Sequence, residues 1–366
     1  MSESTTHSPE MARPPAQTVG AIGWLRAHLF SSWFNTILTG LAVWLIVATV
    51  PGIVSWAFVD SVWGDASPEA CKEAAGACWA FIYEKYRFIL FGFYPWGEHD
   101  RPLIAMIIFI ALVLTSCFRR AWGRPLIAAW IIGLAAVAIL MWGGILGLTY
   151  VDQSKWGGLP LTLFLATFGI AGAFPLAILL ALGRRSEMPA IKALCVGYIE
   201  LIRGVPLISV LFMASVMFPL FLPTNITIDK LLRAQVAIIL FSAAYLAEVV
   251  RGGLQAIPKG QYEAADSLGL TYWQKMGKII LPQALRITIP PMVNTFIGGF
   301  KDTSLVVIIG LFDLLMTTRT AFQDIEWRQY FVEGYVFCAL IYFSFCFFMS
   351  RYSQWLERDL SRGQSH

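Results

Sequence analysis

Long apolar runs alternate with short polar breaks along almost the whole chain. Eight runs reach or approach the roughly 20 residues that a helix needs to cross a hydrocarbon core. They cover 34–58, 102–118, 125–149, 159–183, 197–221, 233–252, 287–311 and 333–354, and the second is the shortest. A membrane β-barrel would show short alternating segments instead. The pattern predicts an all-α, polytopic membrane protein with about eight transmembrane helices. The last five runs carry charges and prolines inside or at their ends, whereas the first three hold no charged residue. That contrast predicts accessory N-terminal helices over 31–150 followed by a working core over 155–356. Residues 1–30, which include "MSESTTHSPEMARPPAQ", and 357–366 read as polar tails, the first disordered.

One polar stretch, 257–285, is long yet regular. "IPKGQ" at 257–261 is a turn signal. A short helix follows from Tyr262 to Leu268, and Gly269 ends it because glycine tolerates the positive φ of a helix end. Thr271 caps a second helix from Tyr272 to about Ile280, and Pro282 is expected to terminate it. The result is a two-helix elbow. Ala264 and Ala265 offer close backbone approach, and Tyr262, Tyr272 and Trp273 are aromatic anchors of the kind enriched at binding hot spots. Spacing alone leaves two readings: a docking element, or an amphipathic elbow resting on the bilayer or on the protein's own helices.

Composition supports the membrane reading. Hydrophobic residues make up 57% of the chain and charged ones 14%, against about 25% charged in a soluble domain. No basic aromatic patch suggests nucleic acid. Lys and Arg fall unevenly: with the N-terminus in the cytoplasm, 17 of the 27 lie on the cytoplasmic side, as the positive-inside bias requires. Both termini are then cytoplasmic and the loop 59–101 is external. That loop holds Cys71 and Cys78, either two free thiols or a disulfide in an oxidising compartment. It also holds the aromatic stretch "WAFIYEKYRFILFGFYPW", suited to a membrane interface. There is no G-x4-G-K-[ST] loop to cradle nucleotide phosphates. The four histidines are scattered, so no metal set and no catalytic residues are expected.

Charge inside a membrane is expensive, about 3 kcal/mol at a helix centre. Lys301, Asp302, Thr303 and Ser304 lie past the middle of the seventh run, with Pro290, Pro291 and Asn294 before them. A broken helix at that depth is where transporters hold substrate groups; the other reading is an interhelical ion-pair network. Glu200 and Arg203, and Glu248 and Arg251, repeat E-x-x-R-G. At i,i+3 each pair meets on one helix face, either as self-neutralising pairs near the interface or as a charged mouth. Gly143, Gly144, Gly147 and Gly172 read as helix-packing positions.

Glu263-Ala264-Ala265, then Gly269, then Ile279 and Leu281-Pro282 follow the spacing E-A-A-x3-G-x9-I-x-L-P. This resembles the full EAA loop of ABC importer permease subunits. "YIELIRGVPLI", "AYLAEVVRGGLQAIPKGQYEAA" and "KDTSLVVIIG" are similar to the polar amino acid permeases of that family. "WGGLPLTL", "LALGRRSEMP" and "GACWAFI" are similar to the general L-amino acid subgroup. The resemblance implies a five-helix MetI-like core in a bacterial inner membrane and an L-amino acid substrate. It also implies a coupling role for Glu263, Ala264, Ala265, Gly269, Tyr272, Trp273, Ile279, Leu281 and Pro282. The implied partners are a dimer of ATP-binding subunits, a second homologous permease and a periplasmic amino-acid-binding protein. ATP and Mg²⁺ would be bound by the partner ATPase, with no cofactor in this chain. The substrate path would run by Lys301, Asp302, Thr303, Ser304, Asn294, Glu248, Arg251, Glu200 and Arg203. From residues alone, a self-sufficient ion-coupled transporter and a scaffold that merely binds a cytoplasmic partner are the rivals.

Overall fold

The computed structural model describes residues 20–223 and 226–362, which form two units divided between Ala80 and Phe81. In the first unit, α1 (Gly20–His28) is a short helix within the stretch assigned to a disordered tail. Its Trp24 and His28 rings stack at 4.9 Å across one turn. The rest of that assignment, 1–19, lies outside the described residues. Ser32 caps α2 (Trp33–Val54) by accepting from Asn35 N–H, and the helix runs on through a π-turn at Ser55–Val59. No side chain of α2 is buried in the protein, as befits a helix facing lipid on every side. After it, α3 (Pro68–Glu73) and the following residues fold back. Val62 N–H donates to Ala77 O at 2.8 Å, and a disulfide joins Cys71 to Cys78. A Cβ on Gly76 would sit 2.3 Å from the Asp60 carbonyl carbon, so only glycine fits there.

The second unit takes in the other accessory helices together with the core. It contains α4 (Ala80–Phe91) from Phe81 onward, α5 (Asp100–Ser116) and α6 (Arg124–Trp142). The aromatic stretch around α4 is two-sided, with Tyr83, Tyr86, Phe93 and Trp96 exposed and its other face packed inward. Phe81, Ile89, Phe91 and Tyr94 are buried, Phe81 meets Trp327, and Thr317 Oγ1 donates to Ile89 O at 2.7 Å. Gly143, Gly144 and Gly147 all take positive φ and build the turn after α6. They are turn residues, not helix-packing ones.

The core opens with α7 (Gly158–Arg184), which lies along α10 (Lys230–Ala256). Gly169 and Gly172 allow the approach: a Cβ on either would be 2.7 Å from Ile238 or Ile239. Between them, α8 (Pro189–Gly204) and α9 (Leu207–Phe212) meet at 104°. The expected single span 197–221 is therefore bent, because Pro206 cannot donate and holds Val205 extended at φ −112°, ψ 135°. The elbow comprises α11 (Lys259–Ser267), α12 (Tyr272–Lys275) and α13 (Leu281–Ile287). Then α14 (Ile289–Asp302) tightens into a 3-10 stretch over Thr303–Ile309, which Gly310 ends at φ +72°. The chain finishes with α15 (Leu314–Ala321) and α16 (Phe331–Arg362).

Among the described residues, six helices are long and apolar enough to cross a membrane, or seven counting the bent pair. The eighth expected span is α5. Its 17 residues reach about 25 Å at 1.5 Å per residue, short of a core of about 30 Å. Pro290 and Pro291 do not weaken a helix interior as expected; they stand in the first turn of α14, where a missing N–H is harmless.

Candidate functional site

The elbow forms at Gly269, whose φ is +67° and whose absent Cβ would touch nothing within 4 Å. Backbone conformation alone therefore demands glycine. Thr271 then makes a capping box with Gln274. Pro282 does not end the second helix as expected. Met276–Ile280 widens into a π-turn, Leu281 N–H reaches back to Met276 O, and Pro282 enters in the first turn of α13. The wider turn removes the demand for a Pro282 donor and the clash with the preceding carbonyl. Lys275 and Asp266 pair at 2.6 Å across the bend, and Gln283 Nε2 donates to Gln261 Oε1 at 3.0 Å. Tyr262 OH donates to Leu254 O and accepts from Arg185 Nη1.

These ties split the motif into two faces. Glu263, Ala264, Gly269, Tyr272, Trp273 and Pro282 are exposed, and Leu268 and Trp273 stand out at 74% and 68% exposure. Partial desolvation holds the Tyr272 phenol above its ordinary value, so it remains a neutral hydrogen-bond donor. Ala265 is fully buried within the chain, which corrects its expected place on an outer docking face. Ile279, Leu281, Met276, Ile280 and Ala284 join one apolar cluster with Ala177 and Ala181 of α7, Ile199 of α8 and Val250 of α10. Met292 of α14 belongs to the same cluster.

Above the elbow, five charges converge. Glu248 accepts from Arg251 Nε and Nη2 at 3.0 and 2.9 Å, and lies 3.0 Å from Arg184 and 3.7 Å from Arg203. The i,i+3 pairing holds for Glu248–Arg251 only. Glu200 pairs instead with Arg184 at 2.8 Å, because α8 turns its two charges toward α7 and α10 rather than toward each other. Arg184 of α7 is a member that sequence reading did not single out. Arg203 also lies over the ring of Tyr245, 5.7 Å from its centroid.

Tyr245, three residues before Glu248 on α10, lines a cleft of about 260 Å³ reaching across to α9 and α14. Leu207, Ile238 and Phe241 supply an apolar wall, and Ser242, Tyr245, Thr295 and Asp302 supply polar atoms. A Cβ on Gly298 or Gly299 would meet nothing within 4 Å, so these glycines keep the cleft open. Asp302 and Thr303 sit at its edge, where α14 passes into the 3-10 stretch. Thr303 Oγ1 is buried and donates to Phe300 O at 2.7 Å. Among the described residues Asp302 has no ion-pair partner within 4 Å. Three other expected path residues do not line this cleft. Lys301 and Asn294 are exposed, and Ser304 turns its hydroxyl to Lys301 O at 2.8 Å. Successive helix positions rotate by about 100°, so one face cannot hold all of them.

Residues 173–362 match the family described as "Binding-protein-dependent transport system inner membrane component". The chain belongs to this family. It is 51% identical over 347 residues, 94% of each chain, to the inner membrane amino-acid ABC transporter permease protein YhdY of Escherichia coli K12. It is 40% identical to the glutamate/glutamine/aspartate/asparagine transport system permease protein BztC of Rhodobacter capsulatus, covering 99% of each. A solved amino acid ABC transporter structure matches at 33% identity and TM-score 0.49, over 55% of this chain and 92% of that one. This chain is accordingly an ABC transporter permease, and its elbow is the EAA loop of that family.

The permease's cleft was less legible than its elbow. Ser242, Tyr245 and Glu248 recur at i,i+3 in the otherwise apolar run 236–250, a faint signal for that wall. Thr295, Gly298 and Gly299 become informative only once α14 is set against α10.

Proposed function

We propose that this chain is the membrane-spanning subunit of an ATP-driven importer of L-amino acids, with an ATPase subunit seated on the exposed face of the elbow. One observation carries the reading. The aromatic face of Tyr272 and Trp273 continues through unbroken helical turns into Ile279, Ile280 and Leu281, which are packed among α7, α8 and α10. A push on the outer face therefore reaches the helices that line the cleft. ATP and Mg²⁺ would be held by the ATPase dimer. A periplasmic amino-acid-binding protein would deliver substrate, and a second homologous permease would complete a heterodimer. The multi-pass chain would lie in the bacterial inner membrane with both termini cytoplasmic.

The cleft suits an amino acid. Asp302, without a direct ion-pair partner among the described residues, matches an ammonium group, and the arginine-rich cluster next to Tyr245 matches a carboxylate. Glu248 and its three arginines, set between cleft and elbow, would form the inner gate that elbow motion opens. The test is reconstitution with ATPase and receptor in proteoliposomes. Trp273→Ala is expected to lose ATPase co-purification and ATP-dependent uptake while the chain itself stays folded. Undiminished uptake by that variant, or uptake by this chain alone without ATP, would overturn the reading.

A further inference from the structure

A second cavity, of about 250 Å³, lies between α5, α7, α14 and α16. Its lining is almost wholly hydrocarbon, with Phe109 and Val113 of α5, Ile170 of α7, Phe300 of α14 and Phe345 of α16. It opens past Leu114 and Phe348, which line it and are 39% and 40% exposed. The outward neighbours Ile107, Phe343 and Phe347 are exposed and apolar, so the mouth faces the bilayer. At one end of this mouth the chain becomes cationic. Arg119 and Arg120 follow α5, and Arg351 follows the Phe348–Met349 lining of α16. Tyr352 OH donates to Cys117 O at 3.0 Å, and Arg119 pairs with Asp359 at 3.2 Å. Those two contacts hold the ends of α5 and α16 together and gather the guanidiniums there. Arg120 and Arg351 remain exposed.

We propose that this cavity holds an acyl chain of an anionic phospholipid whose headgroup rests on Arg119, Arg120 and Arg351. Two features of the structure select that occupant: a hydrocarbon slot open at membrane depth, and a positive rim at one end where a headgroup would lie. Phe300, in the slot wall, immediately precedes Lys301 and Asp302. The lipid therefore packs against the point where α14 changes into its 3-10 stretch. Helix α5, one wall of the slot, lies outside the family-matched region 173–362, so the site depends on the accessory part of this chain.

The test uses the assembled transporter in nanodiscs containing phosphatidylglycerol with a diazirine in its acyl chain. Photolabel is expected on peptides covering Phe109–Leu114 and Ser344–Met349, competed by unlabelled phosphatidylglycerol. Val113→Trp, which fills the slot, should lose that label. The double change Arg120→Gln and Arg351→Gln leaves the slot intact and should abolish the preference over phosphatidylcholine carrying the same probe. Three results would overturn the proposal: label spread evenly over exposed helices such as α2, equal labelling by both lipids in the unaltered protein, or a slot closed by another polypeptide in cross-linking.

Discussion

At the scale of single residues, Glu248 and Asp302 have opposite environments. Glu248 is surrounded by Arg184, Arg203 and Arg251. Removing its charge leaves three guanidiniums with only Glu200, already paired with Arg184, to offset them. Breaking a buried pair costs about 3–5 kcal/mol and an exposed one under about 1, so this half-buried site should cost about 2 kcal/mol. Glu248→Gln should therefore lower the thermal inactivation midpoint of the purified transporter clearly more than Arg251→Gln, which leaves Glu248 two partners. Equal shifts would mean that Glu248 is not the hub. Asp302 makes no direct ion pair among the described residues, with only the adjacent Lys301 acting on it through space, so Asp302→Asn should leave the midpoint nearly unchanged. If its carboxylate meets the substrate's ammonium group, uptake should fall about tenfold or more, the loss of one charge-assisted bond, with receptor affinity untouched. Unaltered uptake would remove Asp302 from the path. The sequence announced both residues by their charge in an apolar run. It gave no sign of Arg184 as a partner, because that contact joins two helices far apart in the chain.

At the scale of the element, the elbow was read almost complete from sequence because its determinants are local: a positive-φ glycine, a capping threonine and alternating small and aromatic positions. The π-turn escaped that reading. Pro282 alone reads as a helix stop, and only the packing of Ile280 and Ala284 into the core keeps the helix going past it. The bend at Val205–Pro206 was missed for a matching reason: two short helices joined at a proline share the hydropathy of one long span. The elbow's two kinds of position should fail differently. Gly269→Ala places a side chain at φ +67° in open space, a strain of about 1–2 kcal/mol felt at the bend alone. It should slow ATP-coupled uptake while the permease remains as stable as before away from the elbow. Ala265→Leu adds volume where none is free, at about 1–3 kcal/mol, and should separate α11 from the Met276–Ile280 turn. Hydrogen exchange over 259–285 reads the difference: faster exchange confined to 267–271 for the first variant, and spread over both elbow helices for the second. Identical exchange patterns would mean that the two faces are not mechanically distinct.

At the scale of the whole molecule, the side of the membrane on which the elbow lies is decided by α5. Counting α5, six crossings precede the elbow, namely α2, α5, α6, α7, the bent α8–α9 pair and α10, and an even number would put the elbow in the cytoplasm under the proposed topology. Without α5 the count is odd, and with the proposed cytoplasmic N-terminus the elbow would face outward, where no ATPase could reach it. Helix α5 is short, at 17 residues, but its ends are marked. Arg101 at its start is buried and spends its guanidinium on Leu140 O and Thr149 O of the following hairpin. Arg119, Arg120 and Arg124 at its far end lie together, as cytoplasmic ends do under the positive-inside bias. A short span is accommodated by local thinning of the bilayer at a modest cost per ångström. Helix α5 should therefore cross. Single cysteines at Tyr83, Arg120 and Ser267, in a background lacking the four free cysteines, should separate cleanly under a membrane-impermeant maleimide. Position 83 should react in intact cells, and positions 120 and 267 only after permeabilisation. Reaction at 120 and 267 from outside would show that α5 does not cross, and with it the coupling role of the elbow would fall.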